Sequence, residues 1–323
     1  MKLSAYAKYA WFVLTFNVGV ILWGAYVRAT GSGAGCGSHW PLCNGVVIPR
    51  SQSVETLIEF THRLSSGVAF LFVVGLLIWA WRVFPKGSIV RKGAVFSMLF
   101  MTTEALVGAG LVLFELVADN ISIARAVSIS IHLVNTFLLL ACLSLTAWWS
   151  SGGKPVQLSG KNFYMSILGL GFIGMLILGV SGALTALGDT LFPVSSLVEG
   201  LSQDFSPSAH FLIRLRLLHP TIAVLVSIYL IVISGLIMLN NGKLENKFLG
   251  RSLTILIVIQ LLAGLINVYL LAPVWMQIVH LLISDLIWIT LVIFAAKTLS
   301  IDTEEYIVEG ANHDVKLQES SSI

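Results

Sequence analysis

Charge is what this sequence has least of. Only 11% of its 323 residues are charged, where soluble globular domains carry roughly 25%, and the shortfall extends along nearly the whole chain. That excludes a protein whose surface is mainly in water. The net charge of +3 is small, so no basic field of the kind that grips nucleic acid is present, and no nucleic-acid partner is expected. Nor does an Arg-rich, Ser-rich transit segment open the chain, which makes a bacterial or archaeal cell (inner) membrane the expected location rather than an organelle reached by import.

What is abundant is apolar sequence: 57% of residues are hydrophobic and the mean hydropathy is +0.91. Runs of about 20 apolar residues, enough to cross roughly 30 Å of hydrocarbon, fall near 9–29, 59–82, 93–115, 128–149, 162–187, 211–239, 249–271 and 275–297. The first run is too long for a signal-peptide core of about 7–15 residues and reads as a span. The expected fold is therefore an all-α polytopic membrane protein with eight transmembrane helices. From Ser300 the chain turns polar and acidic, so 300–323 is expected to be a cytoplasmic tail in which His313 is inert.

Lysine is missing from one side of this topology. With both termini cytoplasmic, as the positive-inside rule predicts, every lysine from Lys2 to Lys316 lies inside, and the outer side keeps Arg28, Arg50, Arg63, Arg125, Arg214 and Arg216. Snorkelling at helix ends would use lysine as readily. A guanidinium is instead a planar fork suited to carboxylates.

The two halves of the chain resemble each other. Trp23-Gly24-Ala25 matches Ser181-Gly182-Ala183; Glu104-Ala105-Leu106-Val107-Gly108 matches Gln260-Leu261-Leu262-Ala263-Gly264; His62 matches His219 and His132 matches His280. The offset is nearly constant until a shorter last outer loop reduces it. The expected organisation is two pseudo-repeated four-helix bundles: 1–150 with an outer loop at 30–58, and 151–299.

Four of the seven histidines sit in spans, one in each even-numbered helix, all towards the outer side. A single membrane histidine is usually a hydrogen-bonding residue between helices. Four at matching positions point to metal ligation, and two imidazoles facing across a bundle core hold haem by its axial positions. No Cys-x-x-Cys-His occurs, so such a haem is held without covalent attachment. Zinc fits less well, because no span gathers four His, Cys or carboxylate ligands. Arg28, Arg63 and Arg125 in the first half, and Arg214 and Arg216 in the second, are the candidates for binding haem propionates.

The halves differ in one place that bears on chemistry. Glu59 stands three residues before His62, whereas Arg216 stands three before His219, a spacing that shares a helix face. The first site thus offers an acid or base beside its ligand and the second a counter-charge. Glu59 could equally pair with Arg63 four residues on, a helix-end salt bridge worth about 0.3–0.5 kcal/mol. Pro220, directly after His219, removes a backbone donor and should kink its helix. In the first outer loop, Cys36 and Cys43 read as a disulfide on the oxidising side, as a structural staple or as a redox couple. Cys142 reads as a small core residue. Glu104 and Asp285 could serve a proton path or bond a neighbouring helix; Asn135 could orient a bound ligand.

Glu59-x-x-His62-Arg63, the Cys36/Cys43 pair, Gly24-Ala25-x-Val27-Arg28-x-Thr30-Gly31-Ser32-Gly33, and His132, His219 and His280 together resemble haem A synthase across all eight spans. The resemblance implies an oxidoreductase that converts a ring methyl of haem O into a formyl group by successive hydroxylations. It implies that His62 and His132 bind the substrate haem O, that His219 and His280 bind a haem B cofactor, and that Glu59 assists at the methyl. It further implies a Cys36–Cys43 disulfide near the substrate, an electron donor or acceptor, and association with a second copy and with haem O synthase. The alternative from the residues alone is a di-haem b-type electron-transfer subunit. A transporter has only the repeat in its favour.

Overall fold

A computed structural model describes residues 3–50, 53–157, 159–240 and 244–300. The tail expected after Ser300, with His313, lies outside the described residues. Among those described, ten α-helices follow one another: α1 Ala5–Ala29, α2 Val54–Val83, α3 Ile89–Leu113, α4 Ile123–Ser150, α5 Asn162–Leu191, α6 Leu197–Asp204, α7 Phe211–Arg216, α8 Leu218–Asn240, α9 Leu244–Tyr269 and α10 Val274–Thr298. No strand occurs among the described residues. Eight stretches are long and apolar enough to cross a membrane, with α7 and α8 together forming one of them, Phe211–Asn240. The protein is a multi-pass membrane protein.

Several helices begin about a turn before the apolar runs do. Ser4, Ser53, Ser88 and Ser122 each sit at an N-cap and accept a hydrogen bond from a backbone N–H of the first turn. A serine cap satisfies a donor that the helix leaves open, so the polar first turn is helical although it adds nothing to hydropathy. α6, in the loop after α5, starts the same way: Ser196 accepts from the Glu199 N–H and Glu199 Oε2 accepts from Ser195. These bonds lower the Glu199 pKa, so they hold above the ordinary carboxylate range and are lost as pH falls through the lowered value. The break between α7 and α8 falls at Leu217. Pro220 cannot donate to the Arg216 carbonyl and its ring crowds that carbonyl, which ends the ladder there.

The helices α1–α4 pack in a ring, α1 on α2, α2 on α3, α3 on α4 and α4 on α1. The segments α5, α8, α9 and α10 pack in the same cyclic order, and α4 meets α5 and α10 where the two rings join. Aromatic rings fill that seam. Trp288 stacks on Phe137 with centroids 4.7 Å apart, donates Nε1–H to the Phe137 carbonyl at 2.7 Å and meets Phe172 edge-on. A pair of this kind adds about 0.5–1.5 kcal/mol beyond its burial. Outward-facing Leu71, Leu99, Ile173, Leu225 and Ile255 are exposed, as lipid-facing positions should be.

Candidate functional site

The loop between α1 and α2 folds down onto the start of α2. Cys36 and Cys43 form a disulfide, and the Asn44 N–H donates to the Cys36 carbonyl at 2.9 Å. Gly35 rests on the helix so closely that a Cβ there would lie 2.5 Å from the Glu55 carbonyl. Thr56 Oγ1 donates to the Gly35 carbonyl at 2.7 Å, and the Cys36 N–H donates to Glu59 Oε2 at 2.7 Å. Glu59 is buried beneath this loop, 3% exposed. Its other oxygen is paired with Arg63, Nη2 at 2.5 Å and Nε at 3.0 Å. The remaining Arg63 donors reach the carbonyls of His39, Leu42 and Gly37. The i,i+4 pair therefore forms, and its arginine binds the disulfide loop to the helix.

Each of the four span histidines lies on a glycine of the preceding membrane helix. A Cβ at Gly24 would stand 2.9 Å from the His62 ring, at Gly182 3.0 Å from His219, and at Gly264 3.2 Å from His280; at Gly108 it would stand a relaxed 3.8 Å from His132. These are the glycines of the sequence matches above. Without a side chain they let each imidazole lie close against the neighbouring backbone. His219 and His280 face each other with centroids 6.5 Å apart and planes at 80°. Two imidazoles that share one metal ion at about 2 Å each put their ring centres roughly 6 Å apart. The second pair is spaced close to that separation. His62 and His132 are close enough to interact electrostatically, and Nδ1 of His62, His132 and His280 is buried without a hydrogen bond among the described residues.

The arginines expected to bind propionates are engaged with the protein. Arg28, one turn beyond Gly24, donates to the Ala186 carbonyl at 2.7 Å, Thr190 Oγ1 at 2.9 Å and Gln277 Oε1 at 2.9 Å. Arg216 pairs with Asp189 and Asp204. Arg214 donates to the Pro207 carbonyl. Arg125 donates through Nη1 to the carbonyls of Ala118 and Asn120, while its Nε is buried without a partner among the described residues. Arg125 lies seven residues before His132, two helical turns towards the loop on the same face.

Three polar residues stand beside the histidines in a way that spacing alone does not announce. Glu104 Oε1 is 3.5 Å from His132 Nδ1, and Gln260 Nε2 is 3.2 Å from His280 Nε2. Ser181 Oγ lies 3.0 Å from His219 Nδ1. The signal was present in the match of Glu104 to Gln260, each four residues before the glycine beneath a histidine. Of the remaining described histidines, His210 caps α7 by accepting from the Leu212 N–H, and His39 lends its carbonyl to Arg63.

A family model described as cytochrome oxidase assembly protein, COX15-CtaA, matches residues 7–292. The chain belongs to this family. A protein of Thermus thermophilus named protoheme IX farnesyltransferase is 56% identical over 296 residues, covering 92% of this chain and 49% of that protein. Its counterpart from a second strain of the same species is 55% identical over the same share. A heme A synthase of Bacillus mycoides is 39% identical over 126 residues, 38% of this chain and 39% of that protein. The chain thus spans about half the length of its Thermus relatives. The stretch matched by the family includes the four span histidines, Glu59 and the loop cysteines.

Proposed function

We propose that this chain is a haem A synthase, which oxidises a ring methyl of haem O to a formyl group with a haem B held in its other half. The observation that carries the reading is an asymmetry. Both halves set two histidines on glycines, but only the first buries a carboxylate, Glu59, three residues before a histidine, where the second has Arg216. Under this reading His62 and His132 would hold substrate haem O, and His219 and His280 would hold haem B.

Haem B, when bound, supplies redox chemistry. The rest is done by the chain. Each hydroxylation replaces a methyl C–H by C–OH; with water as the oxygen source it releases two electrons to an external electron acceptor and two protons that must be taken up close by. Glu59, kept from water by the disulfide loop and oriented by the Cys36 N–H and Arg63, is placed to accept a proton or to stabilise positive charge developing at the methyl. Arg125, whose buried Nε has no partner among the described residues, and Arg28 are the arginines to which we assign the propionates. Arg63 we assign to holding the loop. Farnesyl transfer, the activity in the name of the Thermus relatives, we assign to the portion of those proteins beyond the matched half. That portion also makes physical association of this chain with a haem O synthase a natural arrangement.

The test is expression with haem O synthase followed by chromatography of the extracted haems. Haem A or hydroxylated haem O is expected from the wild type, and Glu59→Gln, which keeps the side chain's shape, should lower product by about 10²–10⁴-fold with haem still bound. Haem B in both halves despite a supply of haem O would favour a b-type electron-transfer subunit and overturn the proposal.

A further inference from the structure

A second carboxylate stands beside a histidine in the first half, at the ring nitrogen turned away from the open edge. Glu104 lies within the membrane-spanning part of α3, where an ionisable group is costly unless it is given partners. Asn135 Nδ2 donates to its Oε2 at 2.5 Å, and Thr136 Oγ1 donates to its Oε1 at 2.5 Å. Asn135 is itself fixed, donating to the Phe100 carbonyl at 2.9 Å and accepting from Thr103 Oγ1 at 2.6 Å. Both oxygens of the carboxylate are thus held from α4, and Thr136 Oγ1 also lies 2.9 Å from the His132 carbonyl. The same Oε1 is 3.5 Å from His132 Nδ1, which is sealed from solvent with no hydrogen bond among the described residues. The His132 side chain as a whole is 32% exposed, so its open edge is the one that carries Nε2.

The second half sets an amide, not a carboxylate, beside a histidine, and at the other ring nitrogen. Gln260 Nε2 lies 3.2 Å from His280 Nε2 and 3.1 Å from the His280 carbonyl. Like Glu104 it stands four residues before the glycine on which the histidine rests. One histidine of each half is therefore met from the preceding helix, by a carboxylate at Nδ1 in the first and by a neutral amide at Nε2 in the second.

We propose that Glu104 is a positioning residue that holds His132 with Nε2 towards iron and, as its anionic partner at Nδ1, lowers the reduction potential of the first-half haem. The proposal rests on the reading of His132 as an axial ligand. A carboxylate behind a ligating imidazole fixes its tautomer and raises its basicity, and a more strongly donating ligand with a negative charge nearby favours ferric over ferrous iron. Gln260 makes no such charge available to His280. The halves are thereby given different ligand strengths by a single difference, Glu104 against Gln260, at matching positions.

Optical redox titration of the purified, haem-loaded protein tests this, with His132→Ala used to identify the first-half haem by its loss. Glu104→Gln places in the first half the residue the second already tolerates; its haem should titrate at higher potential while the other is unmoved. Gln260→Glu should shift the second-half haem to lower potential. If Glu104→Gln retains both haems at unchanged potentials, Glu104 is only an interhelical bond and the proposal is overturned. Should Glu104→Gln fail to retain the first-half haem, Gln260→Glu decides, an unchanged second potential overturning the proposal and a lowered one supporting it. If His132→Ala keeps both haems, the ligand assignment itself fails and takes this proposal with it. That outcome is distinct from unchanged potentials on an intact ligand.

Discussion

At the scale of single residues, the site is shaped by what glycine leaves out. Gly24 and Gly108 back the two histidines of the first half at different distances, 2.9 Å and 3.8 Å for an added Cβ. Gly24→Ala must push the His62 ring away, and overpacking of this kind costs about 1–3 kcal/mol; Gly108→Ala meets only ordinary contact. Haem content per protein should therefore fall for Gly24→Ala and hold for Gly108→Ala, as read by pyridine-haemochrome absorbance. Asp285 presents a different case. It is fully buried in α10, and neither oxygen has a partner among the described residues. A buried carboxylate without partners opposes folding, so Asp285→Asn should leave the melting temperature in detergent unchanged or raised, and a marked fall would reveal a partner.

At the scale of elements, the loop after α1 and helix α2 behave as one unit. The loop carries the disulfide, Gly35 lies against the helix backbone, and Arg63 spans from Glu59 to three loop carbonyls. Closing so short a loop by a disulfide is worth about 2–3 kcal/mol in the chain-entropy account. Cys36→Ser/Cys43→Ser should accordingly make residues 30–50 cleavable by added protease while the spans persist. Because the Cys36 N–H is one of the two groups that hold Glu59, activity should fall with the loop. Equal protease resistance in the double variant would show that the hydrogen bonds from Arg63, Glu59 and Thr56 hold the loop without the disulfide. The arginine on this helix illustrates a limit of spacing arguments: four residues from Glu59 predicts the pair, but not that the other donors are taken by His39, Leu42 and Gly37.

At the scale of the whole molecule, Arg28 ties the two rings of helices together at the ends of α1 and α5 and the start of α10. It reaches from α1 to Ala186 and Thr190 on α5 and to Gln277 on α10, three residues before His280. Asp189, one residue before Thr190, pairs with Arg216, three residues before His219. The two candidate haem sites are thus joined by one polar network over a seam otherwise filled by Phe137, Trp288 and Phe172. Arg28 makes three hydrogen bonds to neutral acceptors, and bonds to a charged group are worth about 1.5–3 kcal/mol each. Arg28→Leu should lower the melting temperature and loosen haem in both halves, whereas Arg214→Leu, whose side chain holds the Pro207 carbonyl, should do neither.

Sequence by itself determined the eight spans, because crossing hydrocarbon demands long apolar helices whatever surrounds them, and it marked the four histidines, Glu59 and the cysteine pair, because their matching spacings need no third dimension to be seen. It also held the Gly24, Gly108, Gly182 and Gly264 matches without their meaning. Only the tertiary structure decided what each polar group touches: that the glycines are seats for imidazoles, that Arg63 serves the loop, that Arg28 bridges to the other ring of helices, and that Glu104 backs His132. The reason is physical. Apolar length is a property of one helix and its solvent, while a hydrogen bond across a bundle depends on the rotation and depth of two helices, and those are set by packing over the whole fold.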